Sequence, residues 1–99
     1  MPFSISIEQG IQDLRLEGAV NVQHALSLAV ELRDKLEEGR PVAVDTARLE
    51  DVDTCILQLL CALRKTVPAL SFDRPSEVFL AAVDRCGLRR ELLNAREDL

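Results

Sequence analysis

Ninety-nine residues, 47% hydrophobic and 29% charged, suffice for one domain with one core and exclude a disordered chain. Twelve Lys and Arg against 17 Asp and Glu leave a net charge of −5, which speaks against a sequence-independent nucleic-acid binder and against docking on an anionic membrane. No apolar run approaches the roughly 20 residues of a membrane helix, and the first residues lack the basic and apolar regions of a secretion signal, so a cytoplasmic location is expected.

Phe3, Ile5 and Ile7 alternate with Ser4, Ser6 and Glu8, which predicts a strand with one buried face. Gln9-Gly10 supplies a turn. Leu14 and Leu16 then alternate with Asp13, Arg15 and Glu17 in a second strand, which Gly18 is expected to end. From Asn21, a candidate N-cap, the period changes. Val22, Ala25, Leu26, Ala29, Leu32 and Leu36 recur at three and four residues and predict the buried face of a helix. Glu31, Asp34, Lys35, Glu37 and Glu38 form its wet face, and Gly39 is the expected stop. Val42 to Asp45 reads as a short strand buried on both sides, and Thr46 to Asp53 as a polar loop. Cys55 to Val67 is apolar and helical and ends at Pro68. Leu70 to Phe72 is a brief strand. Ser76 caps a third helix with Phe79, Ala82, Val83 and Cys86 on one face and Gly87-Leu88 as its close. The remainder, Arg89 to Leu99, is a charged tail with room for a short element around Leu92-Leu93.

The order β-β-α-β-α-β-α predicts an α/β domain with a mixed sheet and an initial hairpin. A single domain spans 1–99, with a core over about 3–88 and a tail over 89–99.

Catalytic and metal chemistry find little support. Cys55, Cys61 and Cys86 show no C-x-x-C spacing, and the one histidine, His24, sits on a helix. They read as free, mostly buried thiols. Cys55 at a helix start could be activated, but a nucleophilic thiol needs a base, and His24 has no evident reason to be near. Neither a G-x-x-x-x-G-K-S/T nor a G-x-G-x-x-G loop occurs. The expectation is therefore no enzyme, no metal and no cofactor.

The second helix carries more apolar surface than one core stripe needs. At 100° per residue, Ile56, Leu59, Leu60, Leu63 and Val67 form the inner face. Thr54, Leu57 and Cys61 fall on another flank, beside Gln58 and Lys65. That flank reads equally well as a patch for another protein or as surface covered by neighbouring elements. Thr54 follows Asp53 at the helix start, and either residue suits the N-cap. A phosphate on Thr54 would meet free N–H groups and the positive end of the helix dipole.

The chain as far as Leu88 resembles the STAS domain, named for sulfate transporters and anti-sigma-factor antagonists. Leu14-Arg-Leu-Glu-Gly18-Ala-Val-Asn-Val22 is similar to the family's L-x-L-x-G-x-L pattern, with a helix following. Val42-Ala-Val-Asp45 and, after a loop, Asp53-Thr54 are similar to its buried strand and its D-S/T motif. Pro75-Ser76-Glu-Val78 through Cys86-Gly87-Leu88 is similar to its third helix and G-L close. The resemblance implies a STAS-like fold, helices mainly on one face of the sheet, and a non-enzymatic switch. An anti-sigma factor that is also a serine kinase would phosphorylate the hydroxyl at the start of the second helix. Asp53 then matches the motif acid and Thr54 the hydroxyl.

Three departures bear on that implication. In several antagonists the phosphorylated serine lies one residue further on, where this chain has Cys55. Ile56 stands where glycine is frequent, and Asn21 where an acid is common. These features look more like a second branch, which includes the small STAS subunit of the bacterial phospholipid ABC transporter and STAS proteins of chemotaxis systems. There the threonine region contacts a partner such as the transporter ATPase. Both branches imply partner binding through Asp53, Thr54, Cys55, Leu57, Gln58 and Cys61, with Thr54 the phosphorylation candidate. The apolar flank could also close a homodimer.

Overall fold

The computed structural model describes residues 3–37, 39–72 and 75–94. Strands β1 (Phe3–Glu8) and β2 (Ile11–Val20) form the expected hairpin, with Glu8 opposite Ile11 across Gln9 and Gly10. Both turn residues have positive φ, 52° and 80°, the handedness that matches the twist of the flanking strands. Helix α1 (Val22–Lys35) crosses from β2 to strand β3 (Val42–Val52), which lies parallel to β2. Helix α2 (Thr54–Thr66) crosses to strand β4 (Leu70–Phe72), parallel to β3. Helix α3 (Glu77–Arg85) packs back over β3, and a single wide helical turn, Arg90–Asn94, rests on α2.

The sheet order is β1-β2-β3-β4. Successive right-handed crossovers that advance in one direction place their helices on the same face. The core follows from that. Leu14, Leu16, Val42, Val44, Ile56, Leu60 and Phe79 are all buried between sheet and helices. The other face carries small and charged residues. Arg15 lies 3.4 Å from Asp45 and 3.9 Å from Glu17 there, in exposed pairs of little energetic weight.

Four expectations change. Gly18 does not end β2. It sits at φ +64° beside a register shift, and β2 runs on to Val20. Thr46 to Val52 is not a loop but the second half of β3. Leu49 and Val52 pair with Gly18 and Val20 and turn inward, while Arg48, Glu50 and Asp51 face solvent. β3 is buried on one face only, since Ala43 and Asp45 are half-exposed. On α1 the buried arc is rotated. Leu28 is fully buried, whereas Val22 and Leu26 are 66% and 76% exposed.

Two buried polar side chains steer this geometry. Gln12 accepts from the Glu37 N–H and donates from Nε2 to the Glu37 carbonyl at 3.2 Å, so the chain leaves α1 at Lys35, ahead of Gly39. Thr46 Oγ1 accepts the Ser76 N–H at 3.0 Å and fixes the start of α3. Ser76 in turn caps α3 by accepting from Phe79 N–H. At its far end Leu88 N–H donates to Val83 O and Gly87 N–H to Asp84 O, with Gly87 at φ +70°.

The tail does not begin where the core ends. Leu92 is 1% exposed within the core, and its carbonyl accepts from Arg64 Nη1 at 2.9 Å. Residues 95–99 lie outside the described residues. Leu92→Ala is expected to lower stability by about 2–4 kcal/mol. Urea unfolding checks this, and a change near zero would return Leu92 to the tail.

Candidate partner-binding site

Strands β2 and β3 end together, and α1 and α2 both begin at that edge. Asp53 links them. Its N–H donates to Val20 O at 3.1 Å, which extends the strand pairing by one residue. Its side chain makes no capping bond to α2, although the residue occupies the N-cap position. Oδ2 instead accepts the N–H of Val22, the first residue of α1, at 2.8 Å. One carboxylate therefore lies at the positive ends of two helices. Asn21 caps α1 by accepting from Gln23 N–H at 2.9 Å, and its own N–H donates to His24 Nδ1 at 3.1 Å. His24 thus has a structural role as the second half of a capping box.

Thr54 is the first residue of α2 and is exposed. Asp53, not Thr54, holds the cap position. The Thr54 hydroxyl lies 3.1 Å from Cys86 Sγ at the C-cap of α3, a weak bond to a soft partner. Gln58, one turn along, is exposed, and Cys55 is half-buried against the core. Thr54, Gln58 and the edge of Cys55 thus remain together at the surface.

Leu57 does not join them. It is fully buried, so its placement on the outer flank is corrected. Helix α2 buries a wider arc than one stripe, Ile56, Leu57, Leu60 and Leu63, in the core it shares with Phe79, Val83 and Leu92. Cys61 is half-buried on the side covered by the 90–94 turn. Burial pushes its thiol pKa up, and the charge of Glu91 adds to the rise against Lys65 and Arg64. The chain itself thus covers much of the flank that read as a patch.

The larger apolar surface lies on α1. Val22, Leu26 and Val30 are spaced four residues apart and are 66%, 76% and 37% exposed. A groove of about 210 Å³ runs between α1 and α2, lined by Ala29, Leu32, Arg33, Leu59 and Ala62 among others. The signal was present in the sequence, because Val22 to Val30 contains no Asp, Glu, Lys or Arg. Such a stretch reads as a core face until Leu28, not Leu26, is seen to point inward. Among the described residues no group of three or more His, Cys, Asp or Glu is placed to hold a metal ion.

A family model described as "Mlab, STAS domain" matches residues 4–94. The solved structure titled "Crystal Structure Analysis of Mglu" is similar, with a TM-score of 0.62 and 21% identity over 76% of this chain. The match covers 20% of that chain, so the present sequence spans about a fifth of its length and shares a fold with it. No curated protein matches the sequence.

Two outcomes follow from this geometry. Asp53→Ala removes the acceptor for Val22 N–H and is expected to cost about 1 kcal/mol in urea unfolding, with Asp53→Asn costing less. Equal loss in both variants would show that charge, not the hydrogen bond, matters. Cys61, with its raised pKa, is expected to react with iodoacetamide near neutral pH more slowly than a free thiol. Glu91→Gln lowers that pKa and should speed the reaction. An unchanged rate, followed by peptide mass spectrometry, would remove Glu91 as a contributor.

Proposed function

We propose, from the premise that the chain belongs to the STAS domain family, that it is a regulatory module acting by protein–protein contact at the start of α2. STAS domains generally mediate such contacts, and the family is generally non-enzymatic. The observation that carries the reading is the exposed Thr54 in the first turn of α2, directly after Asp53, whose carboxylate holds the start of α1 with its exposed Val22. An exposed hydroxyl at a helix start gives a docking partner one polar anchor, and the exposed apolar side chains of α1 offer area to desolvate. In the anti-sigma-antagonist form, a serine/threonine kinase that is also the partner phosphorylates Thr54. The N–H groups of Ile56 and Leu57 already serve the Asp53 carbonyl, and those of Thr54 and Cys55 are nearest to a phosphate. The modification adds about two negative charges beside the Asp53 carboxylate and removes the hydroxyl contact to Cys86. A partner that desolvates this surface then loses several kcal/mol of binding.

One observation favours a second reading, a lasting subunit of a larger complex such as one with an ABC-transporter ATPase or a chemotaxis protein. The Val22–Leu26–Val30 stripe is apolar, and permanent interfaces are more apolar than regulated ones. Both readings place the module in the cytoplasm. No helix among the described residues is long and apolar enough to cross a membrane.

An affinity pull-down from cells of origin, with wild type, Thr54→Asp and Leu26→Asp, tests the proposal. Each variant is expected to reduce partner recovery at least about tenfold, which is 1.4 kcal/mol, with an unchanged circular dichroism spectrum. Recovery of a kinase able to add phosphate to Thr54 supports the switch. Recovery of an ATPase supports the subunit. Undiminished partner recovery by both variants would place the contact elsewhere.

A further inference from the structure

The free side of β1 is arranged for pairing. Gln9 and Gly10 form a two-residue turn, so the flanking residues Glu8 and Ile11 exchange both main-chain hydrogen bonds. Alternation assigns Ser6–Asp13 and Ser4–Arg15 to the same class. The N–H and C=O groups of Phe3, Ile5 and Ile7 therefore point away from β2, on a strand that ends the sheet. Natural edges are commonly blunted by proline, lysine or a bulge. β1 reads FSISIE and pairs with β2 without a register shift, so it has none of these. The opposite edge, β4, is short at three residues.

The same stretch is complementary to itself. An antiparallel copy placed about a two-fold axis at Ile5 sets Ile5 against Ile5, Phe3 against Ile7, and Ser4 against Ser6. Apolar side chains then meet on the helix-covered face and hydroxyls on the open one. The opposed residues 5/5, 3/7 and 7/3 are those whose main-chain groups point outward, so one register satisfies side chains and backbone together. Ile7 is 47% exposed and is covered by this pairing. Charge is complementary as well. Glu31 and Lys35 of α1 line a depression with Phe3, Ser4 and Ile5 along this edge. They lie 3.1 Å apart, with the Lys35 side chain still 58% exposed. The two-fold axis brings the Glu31–Lys35 pair of each copy to the seam in opposite directions, acid toward amine.

We infer that β1 is a homodimer interface, in which a second copy of this chain adds antiparallel to the edge and doubles the four-stranded sheet. The two-fold closes the assembly and leaves only the short β4 strands as outer edges. Thr54 contacts Cys86 of α3, which packs over β3, so each dimer presents two free copies of that site. The inference stands independently of the function proposed above.

Light scattering on the eluting protein at about 100 µM tests it, a concentration that populates a dimer of micromolar affinity. The expected mass is twice the 11.0 kDa of the chain. Ile7→Lys, an edge lysine at a half-exposed position, is expected to weaken association at least about tenfold with an unchanged circular dichroism spectrum. Ile5→Cys is expected to give a covalent dimer under mild copper–phenanthroline oxidation, and wild type, with its three cysteines elsewhere, is not. A monomeric wild type overturns the inference, as does a folded Ile7→Lys that remains fully dimeric. If Ile7→Lys does not fold, the Ile5→Cys cross-link decides, and its absence in a dimeric sample places the interface elsewhere.

Discussion

The Asp53 carboxylate accepting the Val22 N–H is the contact on which the site depends. It joins the last residue before α2 to the first residue of α1, across 31 positions of sequence. Two helix starts are then held at one edge of the sheet, with their positive dipole ends side by side. Without that link the start of α1 would no longer be tied to the residue that precedes Thr54. Because Asp53 serves α1, its side chain does not cap its own helix, and the first turn of α2 stays open.

The crossover rule supplies the rest of the frame. Two parallel connections that advance in the same direction cover one face of the sheet and leave the other to small and charged side chains. The same order leaves β1 uncovered at one edge and a three-residue β4 at the other. The molecule therefore has two surfaces of different character. The helix-start end offers an exposed hydroxyl on α2 and exposed apolar side chains on α1, suited to a different protein. The β1 edge offers a self-complementary strand, suited to a second copy.

Much of this was legible in the residues, and the failures have specific causes. The hairpin, the three helices and the Ser76 cap follow from period, turn chemistry and capping, all of which are local. The second half of β3 was not legible, because Arg48, Glu50 and Asp51 mimic a loop until Leu49 and Val52 find Gly18 and Val20 on β2. The bulge at Gly18 hides the alternation on both strands. Leu57 reads as outer flank because a helical wheel assumes one buried stripe, whereas α2 buries a second side in the core it shares with Phe79, Val83 and Leu92. Val22 and Leu26 of α1 read as core for a related reason. An apolar helix start looks the same whether it faces the sheet or a partner, and only the rotation of Leu28 into the core separates the two. The Asp53-Thr54 pair is legible as a helix start and matches the family motif, but the Asp53–Val22 bond is long-range and no local pattern encodes it.

The central claim is that a partner docks where α1 and α2 begin. Photo-cross-linking in living cells addresses it directly, with benzoylphenylalanine at position 26 on the exposed face of α1, at position 58 on α2, and at position 13 on the open face of the sheet. The account predicts cross-links from 26 and 58 to one and the same protein and none to it from 13. A partner captured from position 13 and from neither 26 nor 58 would contradict it.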